Sequence, residues 1–110
     1  MKAEVKEMWV AALESDEYKQ AQGGLKSGCG FCCLGILCQI HAKIHGLKWD
    51  CHTYCGQGAY LPTEVMDWAG LDSNDPHVMF NNNKTKVRLS VLNDSHINFK
   101  TIAKAIRESL

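Results

Sequence analysis

Six cysteines crowd one stretch of the chain, at Cys29, Cys32, Cys33, Cys38, Cys51 and Cys55, with His41, His45 and His52 interleaved. Thiols and imidazoles at this density admit three kinds of chemistry. The first is zinc. Cys29-x2-Cys32 and Cys51-x3-Cys55 are tight pairs, and each can supply two thiolates to a tetrahedral site. The second pair is one residue longer than the usual ribbon spacing. Cys38, His41 and His45 form an alternative donor set along one helix side. The second is nucleophilic. Cys32 and Cys33 fall near the start of an expected helix, where the dipole can stabilise a thiolate, with His77 and His96 as candidate bases. No familiar hydrolase signature surrounds them. The third reading is plain packing, since a free cysteine behaves as a small buried apolar residue.

A second group sits on the segment 47–60, which reads as a loop rich in Trp, Cys, His and Gly. Trp49, His52 and Tyr54 are its candidate binding residues. Loops carried by a rigid scaffold often hold binding sites, and tryptophan and tyrosine dominate contact hot spots. An indole here can also stack on a base. Trp9 and Trp68 lie on apolar stripes and are expected in the core.

The elements that must position these residues follow from periodicity. Glu4 to Tyr18 predicts an amphipathic helix with Val5, Met8, Trp9, Ala12 and Leu13 inward. Phe31 to His45 predicts a second helix, apolar most of the way round and therefore central, with Gly46 as its left-handed stop. Gln39, Lys43, Gly35 and Cys32 fall on its more polar side. Pro62 to Ala69 predicts a third helix. Val78 to Phe80 and Lys86 to Leu89 flank Asn81-Asn82-Asn83-Lys84 and predict a hairpin, with a short helix at 89–92 as the competing reading. Asn98 is an N-cap for a last helix whose stripe is Phe99, Ile102, Ala103 and Ile106. The expected architecture is α+β and helix-dominated: about four helices around a central buried helix (31–45), with a small β-hairpin near 78–89, in one domain spanning 1–110.

The totals narrow the function. Twelve basic and twelve acidic residues give a formal charge of zero. That argues against nucleic acid as a partner, since such binding runs on phosphate neutralisation. It leaves homo-oligomerisation open, because little repulsion keeps copies apart. No stretch approaches the length of a membrane span, and the charged N-terminus does not read as a signal peptide. Reduced thiols or metal ligation are then expected over disulfides.

Several motifs, taken in order, carry a resemblance. They are Trp9-x3-Leu13, Tyr18-x-Gln20, Phe31-Cys32-Cys33-Leu34-Gly35-x-Leu37-Cys38, Leu61-Pro62-x2-Val65-x2-Trp68-x-Gly70-Leu71, and Leu92-Asn93-Asp94 before the final stripe. Together they resemble a family of small, mostly uncharacterised proteins of tailed bacteriophages and prophages. The resemblance implies an origin in phage and a place in the host bacterial cytoplasm; it brings no reaction. It includes Cys32, Cys33 and Cys38 but not Cys29, Cys51 or Cys55. The expected function is a non-enzymatic accessory protein that binds a host protein or a small nucleotide ligand, in the sense of counter-defence. A zinc-stabilised module and a small cysteine hydrolase are the alternatives. Asn93 and Asp94 are expected to form a polar turn and cap.

Overall fold

The computed structural model describes residues 1–80 and 85–110. The expected turn at Asn81-Asn82-Asn83-Lys84 lies outside the described residues. Among those described there are five helices and two small antiparallel strand pairs, so the domain is α+β and helix-dominated. In chain order they are α1 (Ala3–Glu14), β1 (Lys26–Ser27), β2 (Gly30–Phe31), α2 (Cys33–His45), α3 (Thr63–Ala69), β3 (His77–Phe80), β4 (Thr85–Arg88), α4 (Leu89–Asp94) and α5 (Phe99–Ser109).

The core is one cluster around α2. Cys33 to Cys38, Ile40, His41 and Ala42 are all buried. This helix packs on α1, α3 and α4. Each fully buried aliphatic side chain here contributes roughly 1.5–3 kcal/mol of transfer free energy. Trp9 is fully buried, and its indole N–H donates to the Cys33 carbonyl at 2.9 Å. That bond satisfies the one polar atom of a large apolar side chain. α1 also packs along α5, whose Phe99, Ile102, Ala103 and Ile106 form the expected inner stripe. The Asn98 side chain accepts from the Thr101 N–H at 2.8 Å, as an N-cap should.

Several boundaries differ from the sequence expectation. α1 stops at Glu14, not Tyr18, because Ser15 caps it and Asp16 takes a positive φ of 63°. Met8 is exposed, and Val10 takes the inward place expected of it. α2 begins at Cys33, not Phe31. Phe31 is instead a strand residue: it pairs with Lys26, and its N–H and C=O bond Lys19 and Ala21 at 2.9 and 2.8 Å. Cys32 is the extended N-cap. Gly35 and Cys32 lie inside rather than on a polar side, whereas Ile44 is 54% exposed. The hairpin and the helix near residue 89 are both present. β3 and β4 pair in register from His77–Arg88 to Phe80–Thr85, and α4 starts immediately after. The sequence suggests only a short extended piece over 25–27, whereas Lys26–Ser27 and Gly30–Phe31 pair as an antiparallel hairpin.

No helix among the described residues is long and apolar enough to cross a membrane.

Candidate functional site

The 47–60 loop is built from two consecutive tight turns. Asp50 and Thr53 exchange two backbone hydrogen bonds of 2.9 Å, and Tyr54 and Gln57 exchange two of 2.8 and 3.0 Å. Each turn has a cysteine at its first central position, Cys51 at φ 54° and Cys55 at φ 49°. A left-handed conformation there suits the twist of a two-residue turn. It places both thiols at exposed tips.

The loop folds back on α2 through its aromatic residues. Tyr54 is 1% exposed, and its hydroxyl lies 2.6 Å from His41 Nδ1. His41 stacks on His45 at 4.1 Å between ring centres and meets the Trp68 edge at 5.1 Å. Burial, then the neighbouring His45, lower the His41 pKa below its ordinary value. Burial, followed by the Cys55 and Cys38 thiols, pushes Tyr54 up to about 12.

From Tyr54 the belt continues outward. Trp49 is half-buried, 5.2 Å from Tyr54 and 5.7 Å from Phe31, ring to ring. Its indole N–H donates to Gln39 Oε1 at 2.8 Å, which fixes the ring plane. Tyr18 meets Phe31 edge-on at 5.7 Å. Two ammonium groups lie on this row of rings. Lys26 Nζ sits 5.5 Å from the Trp49 centre and 5.7 Å from that of Phe31. Lys43 Nζ sits 5.4 Å from the Tyr18 centre and donates to its hydroxyl at 3.0 Å. Such cation–ring contacts are worth about 0.5–1 kcal/mol at exposed positions.

The expected contact residues thus have different surroundings. Trp49 is half-buried in the belt between Tyr54 and Phe31, His52 is exposed at a turn tip, and Tyr54 faces the core as the loop's anchor. Lys26, Lys43, Gln39, Tyr18 and Phe31 are members of this face that the sequence does not mark as contact residues. The signal that could have found Lys26 and Phe31 is Gly28-Cys29 in Ser27-Gly28-Cys29-Gly30. Gly28 has a φ of 58°, and this two-residue turn sets Lys26 opposite Phe31.

The thiols divide by depth. Cys29 is exposed on the first hairpin turn, and Cys51 and Cys55 are exposed on the loop. Cys32 is buried as the N-cap of α2, its sulfur accepting from the Gly35 N–H at 3.4 Å. It borders a shallow cavity of about 190 Å³ with Tyr60, Ser90 and Asp94. Burial pushes the Cys32 thiol up to about 11, against the opposing Gly35 N–H. Cys33 and Cys38 are raised further, burial again being the first cause. A nucleophile needs the opposite shift. The Cys33 thiol donates to the Leu89 carbonyl at 3.6 Å, not to an imidazole. Among the described residues no three His, Cys, Asp or Glu side chains gather as a metal cage.

Beside Cys33 lies a buried polar hub. The Asn93 side chain is fully buried. Its Oδ1 accepts from the Cys33 N–H at 3.1 Å and Gln20 Nε2 at 3.0 Å, and its Nδ2 donates to the Ala21 carbonyl at 2.8 Å. It joins α4, α2 and the 20–21 segment, rather than serving as the local turn and cap expected. Asp94 takes the Gly23 N–H at 3.1 Å.

A family model described as Domain of unknown function (DUF8296) matches residues 1–110. The chain belongs to this family. No curated protein and no solved structure matches it. The family description names no reaction, ligand or partner, so the functional reading rests on the residues.

Proposed function

We propose that this is a non-enzymatic binding protein, a phage-derived accessory factor that engages a host target in the bacterial cytoplasm. The target is a host protein, such as an anti-phage defence component, or a nucleotide signal that the protein sequesters. One observation carries the reading. The aromatic belt is anchored in the core at Tyr54 and His41 and runs outward through half-buried Trp49 to Phe31 and half-buried Tyr18, with Lys26 and Lys43 on its rings. A rigid aromatic edge loses little entropy on contact, which is what a binding hot spot requires. The raised Cys32 and Cys33 pKa values weigh against the hydrolase alternative. The test is affinity capture from infected host lysate, with mass spectrometry of proteins and small molecules. Capture should be lost in Trp49→Ala and weakened in His52→Ala, with circular dichroism unchanged. Undiminished capture by folded Trp49→Ala removes this placement.

A second reading, a zinc-stabilised module using Cys29, Cys32, Cys51 and Cys55, draws on one feature. Cys51 and Cys55 occupy equivalent tips of successive turns with their thiols outward. It requires Cys32 to leave the Gly35 N–H. Metal analysis of protein purified without added zinc decides it; a folded, metal-free sample ends the idea.

A further inference from the structure

The Trp49 face can be read for the chemistry it selects. It presents three features together: a row of rings, Tyr18, Phe31 and Trp49; an amide, Gln39, that holds the indole in place; and two ammonium groups, Lys26 and Lys43. Both lysines rest on rings. The ion pairs among the described residues all lie elsewhere, joining α5 to α1 or to Asp16: Arg107 with Glu7 and Glu14, and Lys100 with Asp16. Lys43 is exposed, and the Tyr18 hydroxyl is the first cause holding its pKa up, with a smaller contribution from Glu17. A cation parked on a ring is easily redirected, because the contact it leaves is weak and its four-carbon stem is flexible.

We infer that this face binds a nucleoside phosphate, with the base stacked against the exposed part of Trp49 and the phosphate held by Lys26 and Lys43. The inference rests on the binding role proposed above and names its ligand class. The two parts of such a ligand match the two parts of the face. A base has a π-face that an indole accepts whatever its sequence identity, and a phosphate is an anion that lysine ammonium groups hold. An uncharged aromatic ligand leaves both lysines unused, and inorganic phosphate leaves the indole unused. The formal charge of zero is no obstacle, because exposed charges act over about one Debye length, roughly 8 Å at physiological ionic strength, so local cations count for more than the distant total.

The experiment is isothermal titration calorimetry of the full chain. The probes are the 5′-monophosphates of adenosine, guanosine, cytidine and uridine, with the four nucleosides and inorganic phosphate as controls. At least one nucleotide should bind more tightly than its nucleoside and than phosphate, with affinity falling as salt rises. Trp49→Ala should weaken binding about tenfold or more, the order found for removing one base–aromatic stack. Lys26→Ala/Lys43→Ala should weaken it comparably and flatten the salt dependence. These lysines are at the surface, so the double variant still reads out if Trp49→Ala proves unstable. Three results overturn the inference: no binding of any nucleotide at about millimolar concentration, binding unchanged in the lysine double variant, or nucleoside and nucleotide binding alike. If nucleotides fail but Trp49-dependent capture of a host protein persists, the ligand class falls and the binding role stands. If both fail, both fall.

Discussion

Asn93 is a residue whose importance comes entirely from where it sits. As an exposed amide it would be replaceable. Buried, it satisfies the Cys33 N–H at the start of α2 and the Ala21 carbonyl, and it holds Gln20. Asn93→Ala leaves a buried donor and a buried acceptor unpaired. Since each such group costs about 1–3 kcal/mol, the expected loss is roughly 2–6 kcal/mol. Urea unfolding checks it, and a loss under 1 kcal/mol, well below that range, means water replaces the amide freely. His41 offers a test through pH. Burial and His45 lower its pKa in the folded protein, with Glu64 opposing. The unfolded chain takes up its proton near the ordinary histidine value of 6.5, before the folded one does. The stability this group contributes is therefore complete above that pH and lost as pH falls from there through the folded pKa. Chemical unfolding in a pH series should show the decline, and His41→Gln should flatten its slope. An unchanged slope assigns the effect to other groups.

At the level of elements, the two glycines that bracket the working part of α2 do different jobs. A Cβ at Gly35 would stand 1.9 Å from the Leu25 carbonyl oxygen, a backbone atom that also accepts the Cys32 N–H. The helix can lie that close to the 25–31 hairpin only with no side chain there. Gly46 has open space around it but a φ of 67°. Gly35→Ala should therefore cost about 3 kcal/mol or more, as overpacking against rigid backbone does, or prevent folding. Gly46→Ala should cost only about 1–2 kcal/mol, the left-handed penalty. Thermal melts of the two variants compare them directly, and equal losses would contradict the close-approach account. The contrast also shows what could be read in advance. Gly46, Asn98 and the α5 stripe were legible because caps and 3.6-residue periodicity are written locally. The first hairpin was not, because its two-residue strands carry no periodicity, and Phe31 takes partners at Lys19, Ala21 and Lys26 that only the fold brings together. For the same reason the sequence does not mark Lys26 as a member of the Trp49 face.

Over the whole molecule, the cysteines sort into two populations that the sequence already separated by motif. Cys32, Cys33 and Cys38, in the Phe-Cys-Cys-Leu-Gly-x-Leu-Cys run, are buried; Cys29, Cys51 and Cys55 are exposed. Nothing in Thr53-Tyr54-Cys55 says which side of the loop turns inward; the tandem turns and the contact of the Tyr54 hydroxyl with His41 decide that. The division makes the thiols a probe of the intact fold. Alkylation of native protein at mildly alkaline pH should add three groups, and of denatured protein six, counted by intact mass. Among the exposed thiols Cys55 should react more slowly than its ordinary pKa would allow, because burial and then the Glu64 carboxylate raise that pKa and reduce its thiolate fraction. The buried three become reactive only through unfolding, so their rate should rise with urea in step with the loss of helical signal. Fast native labelling of Cys33 or Cys38 would contradict the core assignment. The same count separates the two readings of the loop. In the binding-protein reading free Cys51 and Cys55 label in the native protein with no chelator, Cys55 the more slowly, whereas zinc-bound thiolates resist until a chelator is added.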